Sequence, residues 1–122
     1  MGMDIFKGLF FNAYNVVSTA AYVFDSAGGT AATVGWIPCS GMTNKNILFY
    51  LPTLGSTTVH LLIQGRIAGI ISQIYQKDYA AVTTYGEEIP ITGEYDEIRV
   101  GLKVTTNGTD SVSVAYQFAR VI

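Results

Sequence analysis

The clearest pattern in the chain is an alternation of apolar and polar positions over residues 57 to 67. One alternate set is mostly apolar: Thr57, Val59, Leu61, Ile63, Gly65 and Ile67. The set between them is mostly polar: Thr58, His60, Leu62, Gln64 and Arg66. Successive side chains of a strand point to opposite faces of its sheet, so this period predicts a strand that is packed on one face only.

Several other segments predict strands with shorter or less regular signals. They are residues 20–25 (AAYVFD), 34–38, 46–51 (NILFYL) and, less regularly, 70–75. The segment NILFYL is apolar on both faces, which is typical of a central strand or of a strand at an interface. Residues 76–96 carry few strand signals, and we expect them to form a long connection.

Two alternating segments end the chain, at residues 97–104 and 112–119. Ile98, Val100, Leu102 and Val104 share one face of the first segment, and Val112 to Phe118 repeat the pattern in the second. The dipeptide Asn107-Gly108 lies between them, and this dipeptide favours the type I′ turn of a two-stranded hairpin. We therefore expect the two segments to pair with each other.

Together these signals predict an all-β fold: an antiparallel, jelly-roll-like β-sandwich of about seven or eight strands. The composition agrees, because Val, Ile and Thr are abundant and 12% of the residues are aromatic. Charged residues make up only 13% of the 122 residues, while hydrophobic residues make up 49%. This balance excludes intrinsic disorder and indicates that a partner covers some apolar surface.

The amino-terminal residues 1–19 are apolar but ambiguous in period. Ile5, Phe6, Leu9 and Phe10 follow helical spacing, whereas residues 9–17 could equally form an irregular first strand of the sandwich. We divide the chain into an apolar arm over 1–19 and a β-sandwich domain over 20–122. Because the domain has strands of its own, we expect the arm to pack outside it, against a sister copy or another protein.

The charge and the single cysteine exclude several classes of partner and chemistry. The net charge is −2 and the seven basic residues are spread singly, so we expect no nucleic-acid partner. No run of eighteen uncharged apolar residues occurs, so we expect no membrane partner. Cys39 follows Pro38 without a neighbouring cation, which predicts a small buried residue rather than a reactive thiol.

Candidate catalytic and metal-binding groups are few. The one acidic cluster comprises Glu87, Glu88, Glu94, Asp96 and Glu97. Its spacing matches no calcium motif, so we interpret it as a solvated loop. His60 is the only histidine and lies on a polar strand face without a patterned nucleophile, so we interpret it as a surface or interface residue. The sequence thus predicts no enzyme, no metal site and no cofactor.

Tyrosines concentrate in or beside the long connection, at Tyr75, Tyr79, Tyr85 and Tyr95. Exposed tyrosines serve both sugar-binding platforms and protein interfaces, so this feature alone leaves both kinds of partner open. The residues that we predict to contact a partner are Ile5, Phe6, Leu9, Phe10, Phe11, Trp36, Tyr79 and Tyr85.

Over residues 20–122 the order of elements resembles that of small virion proteins of tailed bacteriophages. The resemblance is carried by a Trp-Ile-Pro strand with a Ser-Gly turn (Trp36, Ile37, Pro38, Ser40, Gly41), the alternating strand Val59 to Arg66, and the strand start Glu97, Ile98, Arg99, Val100. No segment of that family corresponds to residues 1–19.

The resemblance implies a β-sandwich decoration (cement) protein of the phage head. Such a protein is non-enzymatic, binds the lattice of the major capsid protein, and is expected to form a homo-oligomer, a trimer. It would be located on the capsid surface of the virion, assembled in the host cytoplasm. The alternatives are a tail or baseplate component and, from a different class, a carbohydrate-binding β-sandwich module for host attachment.

Overall fold

The computed structural model is an all-β domain, and it describes residues 2–52, 58–79, 84–106 and 111–121. Its strands are β1 (Met3–Asn15), β2 (Ile37–Pro38), β3 (Asn44–Leu51), β4 (Val59–Ile67), β5 (Ile70–Tyr79), β6 (Tyr85–Pro90), β7 (Glu97–Val104) and β8 (Ser111–Val121). The described residues include no helix long and apolar enough to cross a membrane.

The strands form two four-stranded antiparallel sheets. The first sheet has the order β1-β8-β3-β6 and the second has the order β2-β7-β4-β5. Apart from the β4–β5 hairpin, each strand is followed in the chain by a strand of the other sheet. This order is that of a jelly roll, so the predicted fold class is confirmed.

The core lies between the sheets and follows the predicted alternation. Val59, Leu61 and Ile63 of β4 are fully buried, whereas His60 and Gln64 between them are half-buried on the other face. The inward positions of β3, β7 and β8 complete the core with Ile47, Phe49, Leu51, Ile98, Val100, Leu102, Val112, Val114 and Phe118. Burying each large apolar side chain contributes roughly 1.5–3 kcal/mol, so this layer is the main source of stability.

The amino-terminal segment is part of the sandwich, which differs from the expected arm over 1–19. Strand β1 pairs antiparallel with β8 from Met3↔Val121 to Asn15↔Ser111. The pairing shifts between Leu9 and Phe11 and again between Phe11 and Tyr14. These irregularities explain the ambiguous period, because a bulge moves the next side chain to the other face.

The segment expected to be a long connection, residues 76–96, contains the end of β5 and all of β6. Strand β6 pairs with β3 from Asn46↔Pro90 to Leu51↔Tyr85. It is an edge strand, and it carries Gly86, Glu87, Glu88 and Pro90, which are residue types that lower strand propensity. Because its neighbour β3 supplies the hydrogen bonds, β6 forms despite that composition.

The expected carboxyl-terminal hairpin does not form. Both segments are strands, but β7 pairs with β2 and β4 in the second sheet, and β8 pairs with β1 and β3 in the first. The expected Asn107-Gly108 turn lies outside the described residues. Alternation specifies which face of a strand is buried but not its partner, and in this chain the core separates the two segments.

Residues 16–36 connect β1 to β2 and cover the outer face of the second sheet. The expected strand over 20–25 is reduced to a single bridge, in which Val23 and Leu102 exchange backbone hydrogen bonds. Phe24 and Tyr22 lie against Gly101, where a side chain would collide with the Phe24 ring. This cover explains why Leu62 is buried although it points outward from β4.

Candidate functional site

The outer face of the first sheet carries an exposed row of apolar side chains. Leu9 of β1, Ala115 of β8 and Leu48 of β3 lie opposite one another across three neighbouring strands. Leu9 is 53% exposed and Leu48 is 47% exposed. Ile5 lies opposite Ala119 two rows further along, beyond the polar row of Lys7, Gln117 and Asn46, and Tyr50 of β3 is 49% exposed. We call the patch formed by Ile5, Leu9, Leu48, Tyr50 and Ala115 the apolar face.

The apolar face arises because two strands are apolar at both alternate sets of positions. In β3, Ile47, Phe49 and Leu51 point into the core, so Leu48 and Tyr50 must point outward. A strand with one solvated face carries polar residues at such positions. Exposed apolar patches of this kind mark surfaces that another molecule covers.

Two charged residues lie at opposite edges of this sheet and point the same way as the apolar face. Lys7 of β1 lies opposite Gln117 of β8. The same row continues across the sheet through Asn46 of β3 to Pro90 of β6. Glu88 of β6 lies two residues from Pro90 and faces Leu48. Neither Lys7 nor Glu88 has an ion-pair partner among the residues that the structure describes.

The residues predicted to contact a partner fall into two groups. Ile5 and Leu9 are exposed on the apolar face, and Phe6 is exposed at the edge of the sandwich. Phe10, Phe11 and Tyr79 are buried in the chain's own core, where they contribute to folding rather than to a surface. The bulges of β1 turn Phe10 and Phe11 inward, a feature that periodicity does not reveal.

Trp36 is half-buried between two arginines on the outer side of the second sheet. The guanidinium carbon of Arg66 lies 4.4 Å from the centre of the ring, and that of Arg99 lies 4.7 Å from it. The indole Nε1 donates a hydrogen bond to the carbonyl oxygen of Ala32 over 2.7 Å. These contacts fix the Trp36 ring within its own chain.

The four tyrosines considered for a sugar platform all pack against the core, and none of them is fully exposed. Tyr79 stacks on Phe49 with ring centres 4.1 Å apart, and Tyr85 meets the Tyr79 ring edge-on. The ring of Tyr95 lies against Gly65. A sugar platform needs exposed ring faces, so these residues give little support to a carbohydrate partner.

A cleft of about 600 Å³ between β5 and β6 is lined by two members of a polar network, Lys77 and Glu87. The Glu87 carboxylate accepts hydrogen bonds from Lys77 Nζ at 2.5 Å and from the Tyr79 hydroxyl at 2.6 Å. The hydrogen bonds from Lys77 and Tyr79 lower the pKa of Glu87 below its usual range. Burial, and then the hydrogen bond to Glu87, raise the pKa of Tyr79, so the phenol stays protonated.

The lowered pKa of Glu87 predicts an acid-sensitive stability. The unfolded chain takes up a proton at Glu87 at a higher pH than the folded chain does, so the stabilisation is present above the usual glutamate pKa of about 4.3 and is lost as the pH falls through the folded pKa. We expect Glu87→Gln to be less stable at neutral pH and to lose stability less steeply on acidification. Chemical unfolding at a series of pH values measures both effects.

The matched control for that experiment is Glu88→Gln. Glu88 is exposed and lies beside Glu87 in the same strand, so this variant should keep the wild-type dependence of the unfolding free energy on pH. Plots of the unfolding free energy against pH that run parallel for the wild type and for Glu87→Gln would contradict a role for the network in stability.

Two of the acidic residues expected in a solvated loop, Asp96 and Glu97, instead make contacts beside the ends of β4 and β7. Glu97 pairs with Arg66 at 2.8 Å, and Asp96 accepts a hydrogen bond from the backbone N–H of Ala68 at 2.8 Å. Glu94 is exposed. The described residues contain no group of three His, Cys, Asp or Glu side chains that could hold a metal ion.

His60 lies in a hydrogen-bonded line with two other side chains on the open face of the second sheet. Its Nδ1 is 2.6 Å from Asp78 Oδ1, and its Nε2 is 3.0 Å from Thr105 Oγ1. The order resembles an acid–base–nucleophile arrangement, but Asp78 is well exposed and none of the three residues lines either described cleft. The line joins β4, β5 and the residue that follows β7.

Cys39 is buried, and its Sγ donates a hydrogen bond to the carbonyl oxygen of Tyr95 over 3.3 Å. Burial raises the pKa of the thiol to about 11. The prediction of a small buried residue is confirmed, because Cys39 is only 1% exposed.

The chain matches no protein-family model, and no curated protein matches it in sequence. The resemblance to phage virion proteins therefore stays a hypothesis, and the apolar face is the feature from which a function can be argued.

Proposed function

We propose that this chain is a non-enzymatic structural protein of a phage virion, a decoration protein that binds the lattice of the major capsid protein. The apolar face carries the proposal, because it exposes Leu9, Leu48 and Tyr50 in adjacent rows on the outer surface of the first sheet, and Ile5 beyond one polar row. The class of partner comes from the resemblance in sequence. The low content of charged residues, 13%, agrees with a protein whose surface is largely covered in an assembly.

The mechanism of such a protein is thermodynamic. A molecule that binds the assembled lattice but not the free subunits shifts the equilibrium toward the intact particle. Each copy needs only a modest affinity for one capsid subunit. An oligomer that binds several subunits at once has a higher overall affinity, because the first contact raises the effective concentration for the others. The resemblance implies a homotrimer on the capsid surface, which would provide this gain.

A sedimentation experiment with heads tests the proposal. Purified chain is mixed with expanded heads, assembled from the major capsid protein of the same genome, and the heads are pelleted. We expect the wild-type chain to pellet with the heads. The double variant Leu48→Thr with Tyr50→Thr should bind at least about tenfold more weakly, because large apolar anchors dominate interface energies. Threonine is favourable in strands, so the fold should persist.

Val17→Thr is the matched control, because Val17 is also exposed but lies in the connection after β1, outside the apolar face. This variant should bind heads like the wild type. Equal binding by all three proteins would contradict the assignment of the apolar face, and a wild-type chain that stays in the supernatant would contradict the proposed function itself.

A further inference from the structure

One row of polar side chains crosses the outer surface of the first sheet between apolar rows. Lys7 of β1 lies opposite Gln117 of β8, and Gln117 lies opposite Asn46 of β3. Phe118 and Ile47, the next residues in β8 and β3, are fully buried in the core, so Gln117 and Asn46 point outward. We call Lys7, Gln117 and Asn46 the polar row.

The side chains of the polar row have no partner among the residues that the structure describes. The Gln117 and Asn46 carboxamides form no hydrogen bond there, and Lys7 forms no ion pair. Each carboxamide offers an N–H donor and a carbonyl acceptor, which are the two groups that a peptide unit also presents. The polar row can therefore form paired hydrogen bonds with the main chain of another polypeptide.

Apolar side chains lie on both sides of the polar row. Leu9, Ala115 and Leu48 form the row on one side, and Ile5 lies opposite Ala119 on the other. Outward rows are two residues apart along the strands, which is about 7 Å. Successive side chains of an extended chain point to opposite sides. An extended chain that lies along the polar row would therefore place alternate side chains on the two apolar rows.

The ends of the polar row carry opposite charges. Lys7 is the end at β1, and Glu88 of β6 lies at the other side of the sheet, opposite Leu48 in the neighbouring row. Three strand spacings of about 4.8 Å, roughly 14 Å in total, separate β1 from β6, which exceeds the Debye length of about 10 Å at 0.1 M salt. A complementary chain would carry an acidic side chain near Lys7 and a basic side chain near Glu88.

We propose that the polar row binds an extended segment of the major capsid protein, which crosses the strands of the first sheet. The Gln117 and Asn46 carboxamides hydrogen-bond its main chain, and an acidic side chain of the segment pairs with Lys7. The width of the sheet corresponds to about four extended residues. The inference rests on the proposed function for the identity of the partner.

The proposal requires a particular kind of surface on the partner. Helices and sheets use their main-chain groups within their own structure, so a folded apolar patch has few peptide groups to offer. An extended segment outside regular structure leaves its N–H and C=O groups available. The apolar face alone would fit either kind of surface, whereas the polar row fits only the second.

Sedimentation with expanded heads separates the two kinds of contact. Gln117→Met and Asn46→Leu keep the approximate size of each side chain and make the outer surface more apolar. A purely apolar contact would keep or increase its affinity. We expect each variant to bind heads at least about fivefold more weakly, because a peptide group of the segment is then covered without a hydrogen-bond partner.

Gln73→Met is the matched control, because Gln73 is exposed on β5 of the second sheet. This variant should bind heads like the wild type, and thermal unfolding should give the same Tm for all of these proteins. If Gln117→Met and Asn46→Leu bind as tightly as the wild type, the inference is overturned and the proposed function is not affected. A wild-type chain that stays in the supernatant would overturn both.

Salt dependence tests the role of Lys7. We expect Lys7→Met to bind heads severalfold more weakly than the wild type at 0.1 M salt and equally at 1 M salt, where the Debye length is about 3 Å. The losses in Gln117→Met and Asn46→Leu should persist at 1 M salt, because hydrogen bonds between neutral groups are screened little. Equal binding of Lys7→Met and the wild type at 0.1 M salt would overturn the pairing of Lys7 with an acidic residue.

Photo-cross-linking tests whether the partner surface is a single segment. Asn44 is exposed and lies two residues from Asn46, so p-benzoylphenylalanine at position 44 points toward the bound chain. After irradiation on heads, mass spectrometry should find the cross-links within one contiguous segment of the major capsid protein that contains an acidic residue. Cross-links to positions that are distant from one another in the capsid sequence would overturn the extended segment.

Discussion

Deleting residues 1–15 is expected to abolish folding of the whole domain. The deletion removes β1, which contributes the buried Phe10 and Phe11 and covers one edge of β8. Two buried phenylalanines alone contribute roughly 3–6 kcal/mol, which is comparable to the total stability of about 5–15 kcal/mol expected for a domain. Circular dichroism and thermal unfolding should show an unfolded or aggregated chain.

The control for this deletion keeps the strand and changes only its exposed residues. Ile5→Thr with Leu9→Thr should remain folded with a cooperative transition, because both side chains lie on the apolar face outside the core. A truncated chain that still unfolds cooperatively would contradict the assignment of β1 and would restore the idea of an arm outside the sandwich.

Replacing Arg99 with methionine is expected to destabilise the domain by about 2–4 kcal/mol, a shift in Tm on the order of 10 °C. The Arg99 side chain is buried, and its Nη1 donates to the carbonyl oxygens of Ala31 and Val34 at 2.8 and 3.1 Å. Its Nε donates to Gln64 Oε1, and its guanidinium lies 3.5 Å from the centre of the Phe24 ring. Methionine fills a similar volume but can donate none of these hydrogen bonds.

Arg66→Met is the matched control. Arg66 also contacts the Trp36 ring, but its side chain is partly exposed and its partner Glu97 can be solvated. We expect a loss of less than about 1 kcal/mol for this variant. Equal losses for both variants in chemical unfolding would contradict the anchoring of residues 16–36 by Arg99.

Much of the fold is predictable from local patterns, because a strand with one buried face must alternate. Strands β4, β7 and β8 follow from this rule, and so does the sandwich class, whereas β3 follows from its run of apolar residues. The strand partners do not follow from it. The last two strands look like a hairpin in sequence, yet the core separates them, because a jelly roll pairs strands that are distant in the chain. Such pairing depends on which edges remain free after the whole chain has folded.

The candidate site was predictable to a similar extent. The segment NILFYL is apolar on both faces, and this pattern predicts a central strand or a strand at an interface. Leu48 and Tyr50 of this strand are exposed. The bulges of β1 were not predictable, so Phe10 and Phe11 were assigned to a surface although they are buried. The exposure of Ile70 at the β4–β5 turn was not predictable, because an exposed isoleucine at a turn cannot be distinguished in sequence from one in the core.

The copy number of this chain in purified particles tests the central claim most directly. Under the proposed function, quantitative mass spectrometry of virions of the encoding phage would give the ratio of this chain to the major capsid protein. The account predicts a fixed ratio close to that of a lattice component, with the chain retained on purified heads. A chain that is absent from heads, or present only in the few copies of a tail component, would contradict it.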